Sequence, residues 1–405
     1  EILIGLVGSE MCIRDRLCME YEFEEWAFKS LDEITDKIND GTLLCKENQN
    51  LIKKFLFEEQ AKMHAENKKN KKCICPNCYN KSIKRSHTIP RRMSLDIIAE
   101  SNKVIIPIFI EKYPVSKQFV GITEIGVGQA STFPGFCEKH ELIFQSYEKN
   151  GEFSKEDDVI KQLYRNVAYN TFQLKKRIKL NECLTQRHRE VINQAAYNYL
   201  KTKEPKEILK KVTITGDDQC IKNMIYYRKE LIDFKNKLEK YRMSLWEIIS
   251  GNDADITAES VILDLLFPVG ICGCTEIMLN GEDYICSIDV VPFDKKTLVT
   301  IGFCGEITPE LHKIVESRLS HPLAILNLIE ATMIYGTDNW YLNPKVWNTL
   351  GDERKQSLLS EMQNLEKSIF DELPYSIFDD IRKYMISELN IEKKYAEHEL
   401  EKMKI

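Results

Sequence analysis

Cys73-Ile-Cys75-Pro-Asn-Cys78, answered later by Cys137-Glu-Lys-His140, is the pair of stretches on which the reading of this chain turns. A Cys-x-x-Cys turn sets two sulfurs on one ion, and the intervening Pro-Asn suits a tight knuckle. Cys-x-x-His supplies two more donors where a turn enters a helix. Thiolate and imidazole together are the donor set of tetrahedral zinc. Cys75, Cys78, Cys137 and His140 are therefore expected to bind one structural zinc ion, with Cys73 able to stand in for Cys75. The 58 residues between the pairs (79–136) exceed what a compact finger needs, and an inserted β segment accounts for them. The alternative is a set of unrelated buried thiols and a surface histidine.

The knuckle lies in a basic segment. Residues 67–95 carry nine Lys or Arg and no Asp or Glu: Lys68, Lys69, Lys71, Lys72, Lys81, Lys84, Arg85, Arg91 and Arg92. The chain as a whole has a net charge of −6, so this positive field is local. Polyanionic backbones are drawn to such patches by counterion release, and nucleic acid, DNA or RNA, is the expected partner. A solvated, solubilising loop is the other reading of such a run.

Inside this segment stands Ser86-His87-Thr88-Ile89-Pro90. A Cys-x-x-Cys pair, a histidine-isoleucine-proline-like step and a second Cys-x-x-Cys or Cys-x-x-His pair resemble the zinc-containing branch of the HNH nucleases. The resemblance implies a treble-clef module over about residues 71–150. It also implies metal-dependent hydrolysis of phosphodiester bonds, with His87 as the general base beside a divalent cation, Mg2+ or Mn2+. The family's last metal-binding histidine falls at the position of Glu141, a group that can also hold a hard cation. Two departures stand out: Ser86 replaces the acid that normally precedes the histidine, and Ser131 and Thr132 occupy the region of the family's middle asparagine. The wording of residues 130–141, with Tyr164-Arg165 and Asp338-Asn339-Trp340 further on, is similar to a group of microbial HNH-like zinc proteins. A non-catalytic, zinc-stabilised binding or scaffolding protein is the rival expectation.

The rest of the chain frames this module. A length of 405 residues favours two or three domains, and 43% hydrophobic with 30% charged residues is an ordinary globular balance. No apolar run approaches the roughly 20 residues of a membrane span. Thirteen cysteines, an odd number scattered along a long chain, fit a reducing compartment, the cytoplasm, better than a disulfide framework. Residues 1–16 resemble translated sequencing-adapter read-through, so 1–18 are read as an artefactual leader with Met19 as the expected start.

Periodicity then assigns 19–70 to helix and 103–128 to strand, with Pro107 marking an edge or bulge. Helix is expected from near Ser154 along the stripe Val159, Leu163, Val167, Leu174, Ile178, and again over 218–249. Residues 268–304 read as an antiparallel meander with a hairpin at Asn280-Gly281. Thr308-Pro309 opens a helix as cap and first-turn proline, and 322–336 and 352–403 are helical again. Asp338-Asn339-Trp340-Tyr341 is expected to cap and pack a helix end. A second metal site at Cys272, Cys274, Cys286 and Cys304 is the weaker alternative to four buried thiols. The expectation is an α+β chain, mostly helical, divided as 19–70, 71–150, 151–250 and 251–405.

Overall fold

The structure is a computed structural model of the full chain. It describes residues 71–112, 117–201, 212–215, 219–364, 366–388 and 393–404, with 3–6 and scattered positions between 29 and 62. The class is α+β, with antiparallel strands and helices segregated along the chain. Among the described residues no helix is long and apolar enough to cross a membrane.

Two compact units interleave in sequence rather than following the linear division. The larger holds residues 66–110, 118–174 and 234–405, and the smaller holds 1–65, 111–117 and 175–233. In the smaller unit, β1 (Leu3–Leu6) pairs antiparallel with β6 (Val212–Thr215), so the stretch set aside as a leader carries a strand. Ile34, Leu43, Ile192, Ala196, Leu200 and Ile221 make its core.

The larger unit is built on a seven-stranded sheet. Its order is β4 (Lys117–Gly126), β3 (Lys103–Lys112), β11 (Trp340–Leu342), β8 (Val269–Leu279), β9 (Glu282–Phe293), β10 (Lys296–Cys304), β7 (Ile256–Leu263). Asn280 and Gly281 join β8 to β9 with φ of 54° and 82°. Both central residues left-handed is the backbone of the turn that matches strand twist, which is why Asn-Gly announces it. The insertion between the two ligand pairs is β3 and β4, and these belong to the same sheet as the C-terminal meander. Among the described residues β11 meets β3 at Leu342↔Ile105, and Pro107 lies two residues beyond that pair, within β3. Trp340 and Tyr341 belong to this central strand, and Trp340 also packs on the helix end before it, as expected, its indole N–H donating to Met333 C=O at 2.8 Å.

β9 is buried from Ile285 to Phe293, which requires cover on both faces. Strand alternation separates the two sets. Cys286, Ile288 and Val290 face a core shared with Leu311, Leu323, Leu326, Ile329 and Phe378. Ser287 and Asp289 face two long helices, α2 (Glu156–Lys201) and α3 (Gln219–Ile249): Tyr241 meets Ser287 Oγ at 3.0 Å, and Gln162 meets Asp289 at 2.9 Å. Gly302 leaves the room in which Tyr241 lies, since a Cβ there would collide with its hydroxyl. On the first face, α4 (Pro309–Leu319) begins at Thr308, whose side chain accepts from Leu311 N–H as expected. α5 (Pro322–Ala331) begins at His321, whose ring nitrogen accepts from Leu323 N–H. The expected helix over 352–403 is broken into three, Asp352–Glu361, Asp379–Glu388 and Lys393–Glu401. The gap holds Ile377 and Phe378, whose backbone N–H groups both donate to buried Glu330.

Candidate metal centre and basic face

The knuckle is a short antiparallel loop. Ser82 N–H donates to Lys71 C=O at 2.6 Å, Cys73 N–H to Asn80 C=O at 2.9 Å, and Cys78 N–H to Cys75 C=O at 3.3 Å. Asn77 turns it with φ of 56°, a conformation asparagine tolerates. The loop is clamped to the segment carrying the second pair by Ile74 N–H to Gly135 C=O and Ile83 N–H to Phe136 C=O, at 2.8 and 2.7 Å. Cys137 then starts the short helix α1 (Glu138–Glu141) in extended conformation, which lays Cys137 and His140 against the knuckle.

Four donors converge: Cys73, Cys78, Cys137 and His140 have ligand atoms all within 4.8 Å of one another and could hold one metal ion. Cys78 and Cys137 sulfurs are 3.8 Å apart, and His140 Nδ1 lies 3.3 Å from Cys73 and 3.4 Å from Cys137. Two N–H groups support the sulfurs: Cys137 N–H points at Cys73 Sγ, and Asn80 Nδ2 at Cys137 Sγ. His140 is fixed edge-on against Trp246, with centroids 5.6 Å apart.

Cys75 is the exception to the spacing-based set, and Cys73 takes its place. Its backbone makes the knuckle turn, but its sulfur accepts from Tyr164 Oη at 3.5 Å. Arg242 packs behind, donating to Tyr164 Oη and to Ile74 C=O. A hydrogen bond from Cys75, with further donors at Cys137 and His140, lowers the Cys73 thiol to about 4 against its desolvation, while the same bond and burial push Cys75 well up. The direction at Cys73 favours the thiolate that a metal ligand needs.

His87 sits in the two-residue strand β2 (Ser86–His87), paired with β5 (Thr132–Phe133). Burial, with the charges of Arg165, Arg91 and Arg85, lowers its imidazole to about 4. It is therefore neutral at physiological pH, and its Nδ1 is buried without a hydrogen-bond partner. Glu141, the residue expected beside it as a cation ligand, has both oxygens engaged: Arg165 reaches Oε1 at 2.7 Å and Ser86 Oγ reaches Oε2 at 2.8 Å. Arg165, itself buried, also holds Glu148 at 2.5 Å and stacks on Phe144. A hard cation at Glu141 would have to share the carboxylate with this guanidinium, which already neutralises it. Ser86 is one of the two groups holding Glu141.

Of the basic residues, Lys72, Lys81, Lys84, Arg85, Arg91 and Arg92 are exposed and Lys71 is half-buried; Lys68 and Lys69 lie outside the described residues. Arg85 donates to Gly128 C=O at 3.2 Å and Arg91 pairs with Asp96 at 3.3 Å.

Sequence reading passed over a buried polar chain behind the site. Tyr147 donates to Gln162; Gln162 and Asn166 both donate to fully buried Asp289; Asn170 donates to Asn166, and Asn339 to Asn170. Burial raises the Asp289 carboxyl to about 7, against the pull of the two amide donors. Gln162 also donates to Thr88 C=O beside His87. The only signal in the sequence was polar residues one helical turn apart on an otherwise apolar face of α2. Among the described residues, Cys272, Cys274 and Cys286 join no metal-binding group; their thiols contact Asn339 C=O, Asn166 and Ser287 C=O. A further acidic group, Glu372, His398 and Glu399, already holds the Lys402 ammonium at 2.5 Å from Glu372 and 3.2 Å from Glu399. No family model, curated protein or solved structure matches this chain.

Proposed function

We propose that this chain is a zinc protein that binds nucleic acid through the basic face around its knuckle. The observation that carries the reading is the four-donor cluster, two of whose ligands, Cys73 and Cys78, lie in the carboxylate-free run of cations over 67–95. Zinc suits the donors by size. Bonds of about 2.3 Å to sulfur and 2.0–2.1 Å to nitrogen in a tetrahedron give edges of about 3.8 Å between sulfurs and about 3.5 Å between sulfur and nitrogen. The separations of 3.8, 3.3 and 3.4 Å lie close to those edges. Four protein ligands leave no open position, so the ion's role is to hold the knuckle and Cys137 together.

The test joins elemental analysis to binding. One zinc per chain is expected. If five of the cations touch phosphates of a duplex, log K falls against log salt with a slope of about −4 to −5. Lys84→Glu with Arg85→Glu weakens binding uniformly across sequences. Unchanged affinity in that pair would remove the basic face from the reading.

A second reading, HNH-like hydrolysis, is favoured by the unpartnered Nδ1 of His87 within the field of Arg85 and Arg91. The neutral ring is free to take a proton from water next to a phosphate, while the lowering of its basicity to about 4 weakens it for that task. A divalent cation, when bound, would supply charge neutralisation at that phosphate. The engagement of Glu141 by Arg165 and Ser86 weighs on the other side, toward binding without chemistry.

A further inference from the structure

Lys72 and Lys81 form an isolated antiparallel bridge across the knuckle. Directly opposed residues of an antiparallel pair project from the same face, and so do residues two apart on one strand. Lys72, Lys81 and Tyr79 therefore share one face. The contacts agree: Lys72 Nζ lies 4.2 Å from the centre of the Tyr79 ring. Tyr79 is 81% exposed, the most exposed large hydrophobic side chain among the described residues. Neither lysine has an ion-pair partner among the described residues. Two like charges set directly opposite one another destabilise a strand pair, and no carboxylate of the described residues relieves them. The other side of the loop carries Cys73 and Cys78 of the four-donor group and the Lys71–Ser82 bonds, which tie the loop down behind this face.

We propose that Tyr79, flanked by Lys72 and Lys81, is a stacking platform for an unpaired base, and that the chain's nucleic-acid partner is single-stranded there. The inference rests on the nucleic-acid reading above and narrows it. An exposed aromatic ring offers every base a π face, and the two ammonium groups beside it meet the phosphates on either side of the stacked nucleotide. Paired bases inside a duplex cannot reach the ring, whereas the lysines alone would serve either form.

The experiment compares a mixed-sequence single strand of roughly 16 nucleotides, as DNA and as RNA, with the duplex of the same sequence. Full-length protein is used at fixed salt. Tyr79→Ala lowers single-strand affinity about 5- to 150-fold and leaves duplex affinity unchanged. Tyr79→Phe keeps single-strand affinity because it keeps the ring, and Tyr79→Leu does not. In Tyr79→Trp, the added fluorescence is quenched by the single strand and not by the duplex. Metal content, measured in every variant, stays at the wild-type value. Wild-type protein that binds nucleic acid with Tyr79→Ala unchanged, or with single strand and duplex weakened alike, overturns the platform and leaves the nucleic-acid reading standing. Wild-type protein that binds no nucleic acid overturns both.

Discussion

The hydroxyl of Tyr164 lies 3.5 Å from the sulfur of Cys75 and holds that thiol beside the four-donor group rather than in it. Cys73→Ser should therefore empty the site, whereas Cys75→Ser should keep one metal per chain. Partners that orient a ligand typically change affinity 10- to 100-fold when lost, so Cys75→Ser should yield its metal to a chelator at correspondingly lower concentration. Elemental analysis and chelator competition check both. The assignment reverses if Cys75→Ser is empty and Cys73→Ser loaded.

Arg165 is buried between Glu141 and Glu148. Removing one partner of a buried ion pair leaves an uncompensated charge, at a cost of about 3–5 kcal/mol. Arg165→Met should lower the unfolding free energy measured in urea by that much, and Glu141→Gln added to it should restore part of the loss. Additive losses in the double variant would mean that the two side chains do not communicate.

Asp289 makes stability depend on pH. Its folded pKa, raised by burial to about 7, exceeds the unfolded value near 3.9. The folded state thus binds the extra proton. This contribution is complete below about pH 4 and is lost as pH rises through about 7. Its full size is roughly 4 kcal/mol. Wild-type protein should lose stability relative to Asp289→Asn between about pH 4 and 7. Parallel curves for the two proteins in denaturant titrations would show that Asp289 ionises in the folded state as it does in water.

If the chain hydrolyses phosphodiesters, His87→Ala should slow nicking in magnesium or manganese by about 10²- to 10⁴-fold. Metal content and nucleic-acid affinity should not change. Because the imidazole is held down to about 4, the wild-type rate should stay flat from pH 8 to 5 and fall only near pH 4. No cleavage by the wild type across DNA and RNA substrates favours the binding reading; equal cleavage by His87→Ala places the base elsewhere.

Local features were legible in the sequence. Asn280-Gly281 and Thr308-Pro309 each act over one turn and are found as read, and of the stripe Val159, Leu163, Val167, Leu174, Ile178 the middle three are buried and the two ends half-buried. The knuckle was legible as a turn, but not the choice between Cys73 and Cys75, which is made by Tyr164, 89 residues beyond Cys75. Glu141 was chosen by position in a motif, and Arg165, which claims it, lies on a different helix. β11 is three residues long, too short for any period to declare it, and it exists because β3 and β8 leave a gap of one strand. Asp289 stands between Ile288 and Val290 in an apolar run, and its amide partners come from a helix more than 100 residues earlier.

That three-residue strand also sets a timetable. Ile105 meets Leu342, and 342 − 105 = 237 residues of synthesis separate them. At about 5–20 residues per second, β3 leaves the ribosome roughly 12–50 s before the neighbour on one of its sides has been made. Through that interval Val104, Ile105, Ile106 and Ile108 present a hydrophobic strand with one open edge, the kind of template on which nascent chains stick to each other. Pro107 stands in the middle of that run and offers no N–H to a stranger. The residue that interrupts the strand's row of N–H donors is the one that guards it while the sheet is incomplete, and its replacement by valine should be felt in the yield of soluble nascent protein before it is felt in the stability of the folded one.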